Sequence, residues 1–132
     1  MIPADMERTA KAHLADARVL HRGGRFDGAV YLCGYALEIA LKGRICHTLK
    51  WPVFPPPSGE YRSLLTHNLE TLLWFSGIRD RVRMTGGAPN PDWSVVRNWN
   101  PEMRYSPVGA QTAVSAGEII AATAAIVRIL IP

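Results

Sequence analysis

The chain has 132 residues, enough for one domain with its own hydrophobic core, and we expect residues 1–132 to form a single domain. Its net charge is +4, and twelve of its fifteen basic residues are arginine, the side chain best suited to grip phosphate or carboxylate. The only two cysteines, Cys33 and Cys46, fall on one predicted helix and would lie about 20 Å apart, so they cannot form a disulfide within the chain. Two unpaired thiols and the lack of a signal-peptide pattern favour a cytoplasmic location.

The first predicted helix runs from Pro3 to about Arg22. Its apolar residues recur every three or four positions, with charged residues largely between them, so the helix is amphipathic. Gly23 and Gly24 end it, and Asp27 is in position to cap the next helix. Because this connection is short, we expect the first two helices to be antiparallel neighbours.

The second predicted helix, Gly28 to His47, is apolar on almost every side, which is typical of a helix at the centre of a fold. Glu38 and Lys42 interrupt its apolar surface. They are four residues apart with the acid first, so they are able to pair along one edge of the helix.

A connection rich in proline follows, in which we expect Trp51 and Phe54 to pack against the bundle. A third helix opens near Thr66 or Asn68, buries three leucines and stops at Ser76-Gly77.

The next stretch, residues 78–92, has alternating arginines followed by glycines and prolines, which predicts a loop. Arg79, Arg81 and Arg83 would either follow a phosphate backbone or form a solvated charged surface. Asp92 then starts a brief helical piece that ends before Pro101.

The last predicted helix runs from about Gly109 to Ile131 and carries two parallel apolar stripes. One stripe can pack within the chain and the other against a second copy, so we expect a homodimer. Glu118 and Arg128 bracket a run of only nine residues, and charges also interrupt the second helix, so we expect no membrane span. With no strand-like alternation, these elements predict an all-α fold.

Three stretches follow one another along the chain: GAVYLCGYALEIALK in the second helix, THNLETL at 66–72 and WNPEMRYSP at 99–107. Together they resemble the HEPN family of small helical proteins and, with the flanking helices, cover most of the chain. The resemblance implies an up-and-down bundle of four to five helices, frequent dimers, and RNA or nucleotide chemistry in toxin–antitoxin or phage-defence settings. Some members are metal-independent ribonucleases, and others are non-catalytic partners of a nucleotidyltransferase.

The ribonucleases of that family resemble one another in having an arginine and a histidine four to six residues apart, and Arg62 and His67 fit this pattern. Arginine can hold the scissile phosphate, and histidine can move the proton of a 2′-hydroxyl, so this chemistry needs no metal. Arg8 and His13 have the same spacing. The alternative for His67 is that it caps or packs the start of the third helix.

The resemblance also points to Arg104 and Tyr105, an Arg-Tyr pair that precedes a proline. Arginine offers a phosphate fork and tyrosine a stacking face, a combination suited to a nucleotide or RNA. Arg104 would alternatively pair with Glu38 and tie the loop to the bundle. Lys42 is the other candidate partner of Glu38, and all three side chains would then form one polar network.

The resemblance therefore implies an RNA- or nucleotide-associated binding module of a toxin–antitoxin or defence system, with a nucleotidyltransferase or antitoxin as its protein partner. The alternatives are a metal-independent endoribonuclease that uses Arg62 and His67 with Arg104, and a purely structural dimerisation domain. We expect no metal or cofactor. Cys46 and His47 point about 100° apart on a helix without a second ligand pair, and no Gly-rich phosphate loop follows a strand.

Overall fold

The computed structural model describes residues 1–56 and 59–132, and the fold is all-α, with about 70% of the chain in helices. Pro57 and Ser58, part of the predicted proline-rich connection, lie outside the described residues. The α-helices of the described part are α1 (Pro3–Arg22), α2 (Phe26–Leu49), α3 (Leu69–Phe75), α4 (Arg79–Arg83), α5 (Pro91–Val96) and α6 (Ala113–Leu130). Two short 3₁₀ helices, Gly59–Leu64 and Pro101–Tyr105, join them.

Helix α2 is the centre of the fold, as its composition predicted. It makes its most extensive contacts with α1, then with α6 and α3, and half of its residues are buried. The predicted first helix and the α1–α2 connection are confirmed, and α2 extends two residues beyond the predicted range at each end. Phe54 is buried and Trp51 packs against the core, so both aromatic residues anchor the connection as expected.

Asp27 does not cap α2, contrary to the prediction. Arg25 occupies the N-cap position without a side-chain hydrogen bond. The Asp27 carboxylate instead accepts hydrogen bonds from the backbone amides of Gly109, at 2.7 Å, and Gln111, at 2.9 Å. It thereby ties the segment before α6 to the start of α2.

The segment predicted as a loop after α3 contains regular structure. Its arginines form the single turn of α4, and a hairpin of β1 (Met84–Thr85) and β2 (Ala88–Pro89) follows, with Gly86 and Gly87 at positive φ in the turn. The buried Asn90 side chain then donates a hydrogen bond to the carbonyl of Val82. Asn90 is also the N-cap of α5, because its side chain accepts a hydrogen bond from the amide of Asp92.

Helix α6 begins at Ala113 rather than at Gly109, because Thr112 and Ser115 form a capping box there. Residues of both predicted apolar stripes are buried within the chain itself, so the packing of α6 does not by itself require a second copy. Of the helices in the described part, α6 alone is long and apolar enough to cross a membrane. Core helices pass the same test, and 44% of this one is buried inside the fold.

Candidate functional site

One face of α2 carries a line of polar side chains, which we call the polar row: Tyr31, Tyr35, Glu38 and Lys42. Their spacing of four, three and four residues places them on one side of a helix with 3.6 residues per turn. Two other parts of the chain contact this row. The residue before the cap of α3, His67, meets it at Glu38, and the segment after α5 meets it at Tyr31 and Tyr35 through Trp99 and Arg104.

Glu38 is the buried member of the row, only 4% exposed. Lys42 donates to its carboxylate at 3.4 Å, and His67 Nδ1 makes a close contact with the same carboxylate oxygen. A carboxylate in such a position needs partners, since an unpaired buried charge is costly. The polar network inside the bundle therefore has three members as foreseen, but the third is His67 instead of Arg104.

His67 does not cap α3, because the Asn68 side chain accepts the hydrogen bond from the Thr71 amide at that position. Its imidazole is 58% exposed and lies beside the ring of Tyr35. With Nδ1–H donating to Glu38, the neutral ring presents Nε2 as an acceptor, and no hydrogen bond within the described ranges occupies that nitrogen. A carboxylate that orients one histidine nitrogen and leaves the other open is the arrangement of a general base.

The two tyrosines of the row interact with each other and with Arg104. Their hydroxyl groups lie 3.3 Å apart. This hydrogen bond, together with the Arg104 guanidinium, lowers the pKa of Tyr31, and the same hydrogen bond raises the pKa of Tyr35. Arg104 also stands over the ring of Tyr105, with 5.0 Å from Cζ to the ring centre. Tyr105 is 72% exposed, so its aromatic surface is available to a ligand.

A cleft of about 300 Å³ opens beside Tyr31 and Arg104. Its walls come from the first turns of α2 and from residues 103–111, and the hydrogen bonds of Asp27 hold part of the second wall in place. Those backbone hydrogen bonds also lower the pKa of Asp27. The volume is at the lower end of the range for small-molecule sites.

Arg62 is exposed on the 3₁₀ helix Gly59–Leu64. Within residues 1–56 and 59–132, no hydrogen bond or ion pair joins it to His67 or to any other side chain. The structure thus joins Glu38, Lys42 and His67 in one cluster. Arg104 contacts Tyr31 on the same helix face and carries Tyr105 beside it, whereas Arg62 joins neither group.

Tyr31 and Tyr35 were missed as candidate residues, although their spacing with Glu38 and Lys42 was a detectable signal. Trp99 was placed in the helical piece before Pro101 and at the start of the stretch 99–107, but its contact with the polar row was not predicted. It packs against Tyr35 with 5.1 Å between ring centres. In the part of the chain that the structure describes, no group of three or more His, Cys, Asp or Glu residues is placed to hold a metal ion. No protein-family model, curated protein or solved structure matches this chain.

Proposed function

We propose that the chain is a HEPN-like RNA- or nucleotide-binding module of a toxin–antitoxin or defence system, and that the cleft beside Tyr31 and Arg104 receives a nucleotide. One observation carries the proposal: Arg104 and Tyr31 line a cleft of about 300 Å³, and the Arg104 guanidinium interacts with both the Tyr31 hydroxyl and the exposed ring of Tyr105. A guanidinium offers a fork of donors to phosphate, and a tyrosine ring offers a stacking surface to a base.

The test is calorimetric binding of AMP and of a 12-nucleotide RNA to the wild type and to Arg104→Ala. Loss of hydrogen bonds to a charged group costs roughly 1.5–3 kcal/mol, so we expect affinity to fall by about 10- to 150-fold. Arg128→Ala, which removes an exposed arginine of α6, is the matched control and should change affinity less than about twofold. The proposal is wrong if neither ligand binds, or if both arginine variants bind as the wild type does.

A second candidate function, metal-independent endoribonuclease activity, is favoured by the Glu38–His67 contact. In this reaction His67 Nε2 takes the proton of a 2′-hydroxyl, and the 2′-oxygen forms a bond to phosphorus. The bond from phosphorus to the 5′-oxygen breaks, that oxygen takes a proton from water, and His67 then releases the proton that it took to solvent. Arg104, and Arg62 if it approaches the substrate, would stabilise the charge on the phosphate oxygens. Glu38 is then a positioning residue for the imidazole.

Cleavage that survives EDTA and leaves 2′,3′-cyclic phosphate ends would support this second function. We expect His67→Ala to reduce the rate by about 10²- to 10⁴-fold, the usual contribution of a general base. His13→Ala is the control, since Arg8 and His13 share the spacing but Arg8 is paired with Asp5 on α1. Activity that His13→Ala and His67→Ala reduce equally, or that neither reduces, would rule out the assignment.

The partners that we propose are a second copy of the chain and a nucleotidyltransferase or antitoxin encoded nearby. Light scattering on the purified protein measures the first, and co-purification with the product of a neighbouring reading frame measures the second. If the protein forms a dimer but shows no nucleotide binding, no cleavage and no protein partner, the remaining function is that of a structural dimerisation domain.

A further inference from the structure

Trp74, at the end of α3, is the most exposed tryptophan of the chain. Its side chain is 64% exposed, whereas Trp93 and Trp99 are at most 5% exposed and Trp51 is half-buried. Leu72 and Leu73 are fully buried on the other side of α3. Tryptophan is highly buried on average in folded proteins, so a ring that gives most of its surface to solvent needs an explanation.

The exposed ring is held in a defined position. The Arg79 guanidinium lies over it, with 3.9 Å from Cζ to the ring centre. The turn between α3 and α4 is itself fixed on α2, because the Thr48 hydroxyl donates to the Ser76 carbonyl. Gly77 is at positive φ, and a Cβ there would lie 2.6 Å from Thr48 Cγ2. The indole is therefore a preorganised surface on a fixed turn.

Arginine residues are concentrated beside this ring on α4. An open cleft of about 390 Å³ is lined by Trp74, Arg79, Arg81 and Asp80, and Arg83 ends the same short helix. Three arginines against one aspartate give residues 79–83 a net charge of +2. Asp80 is 88% exposed and lies 3.9 Å from Arg79, so this surface pair removes little of the positive potential.

We infer that Trp74, Arg79 and Arg81 form a second binding surface, for single-stranded RNA, separate from the Arg104 cleft. Non-specific single-strand sites combine aromatic rings, on which bases stack, with cations that follow the phosphates, and this surface has both. Its excess of positive charge favours a polyanion over a neutral protein partner. The inference rests on the proposed RNA-binding function and adds a strand contact outside the nucleotide cleft.

The experiment is binding of a 5′-labelled 12-nucleotide oligoadenylate to Trp74→Ala, Trp74→Phe and Arg81→Ala, with Arg128→Ala as the control. Loss of one stacked base costs roughly 1–3 kcal/mol, so Trp74→Ala should weaken binding by about 5- to 150-fold. Trp74→Phe keeps a ring and should bind within several-fold of the wild type. For Arg81→Ala, the slope of log K against log salt should fall by about 0.7. The oligonucleotide should quench the wild-type tryptophan fluorescence but not that of Trp74→Phe.

The affinity for AMP, measured in the same variants, tests the proposed function independently of this inference. Trp74→Ala should bind AMP as tightly as the wild type, while Arg104→Ala should bind AMP weakly. If the oligoadenylate binds equally to wild type and Trp74→Ala, or does not bind at all, the second surface is wrong whatever AMP does. If AMP binding fails but Trp74→Ala still weakens oligonucleotide binding, the nucleotide cleft is wrong and the strand surface stands. Equal binding of a 12-base-pair duplex, whose bases are not free to stack, would also overturn the inference.

Discussion

Trp99 packs directly on the backbone of Gly34, where an added Cβ would lie 1.6 Å from indole Cε2. No side chain larger than hydrogen fits at position 34 without displacing the indole. Trp99 is 5% exposed and also contacts Tyr35. This contact fixes the segment that carries Arg104 against the polar row.

Gly34→Ala should therefore destabilise the protein, although alanine favours helices over glycine by roughly 1 kcal/mol. Overpacking of a core usually costs 1–3 kcal/mol, and after the helix gain is subtracted we expect a net loss of up to about 2 kcal/mol in urea unfolding. Gly43→Ala is the matched control on the same helix, because a Cβ there would lie 3.6 Å from Met6 Cβ, an ordinary contact. It should stabilise the protein by about 0.5–1 kcal/mol. Equal effects of the two variants would contradict the packing described here.

Cys33 and Cys46 should be inert to thiol reagents in the native protein. Both have no exposed surface, and burial raises the pKa of Cys33 to about 11 and also raises that of Cys46. Because the thiolate is the reactive form, we expect no reaction with Ellman's reagent at pH 8 before unfolding and two thiols per chain in denaturant. Rapid labelling of the folded protein would show that α2 opens locally.

The hydrogen bonds of Asp27 predict that the segment before α6 becomes less stably held at low pH. Hydrogen bonds from the Gly109 and Gln111 amides lower the pKa of Asp27 below its ordinary value of 3.8. A lowered folded-state pKa contributes stability that is present above about pH 4 and is lost as the pH falls through the folded-state value. Protection of these two amides against hydrogen exchange should decline below that pH. In Asp27→Asn, protection should be lower at pH 6 and should lose this dependence, whereas Asp16→Asn, at an exposed position on α1, should behave as the wild type does.

The shared carboxylate of Glu38 predicts coupling between its two partners. After Lys42→Met or His67→Ala, one of these partners remains, but the double variant removes both from the buried carboxylate. We expect the double variant to lose about 1–2 kcal/mol more than the sum of the single losses in urea unfolding at pH 7. Adding Glu38→Gln to the double variant should restore part of this loss, because a neutral amide costs less to bury. Additive losses would mean that solvent, rather than these partners, satisfies Glu38.

The sequence predicted the parts of the fold that depend on neighbouring residues. The cap at Asn68, the stop after α1 and the Glu38–Lys42 pair all follow from spacings of four residues or fewer. Asp27 was misassigned because its partners are more than 80 residues away and its local position equally suits a cap.

In the candidate site, too, the residue types were predictable from the sequence but the long-range contacts were not. The types of residue at His67 and Arg104 indicated phosphate chemistry, but their partners are set by the tertiary fold. His67 meets Glu38 across 29 residues, and Arg104 reaches Tyr31 rather than Glu38. The short helix α4 was predicted as a loop because glycines and prolines follow it. The exposure of Trp74 was not predictable either, because it depends on which face of α3 packs inward.

The polar row also fixes the distance along α2 between the cleft and His67. Tyr31, which lines the 300 Å³ cleft, and Glu38, beside His67, are seven residues apart on one continuous helix, a rise of about 10 Å at 1.5 Å per residue. Inserting or deleting a single residue between Tyr35 and Glu38 would rotate one half of the row by about 100° relative to the other. A chain that uses both halves together must therefore keep the number of residues between them, even where the apolar residues of α2 are exchanged.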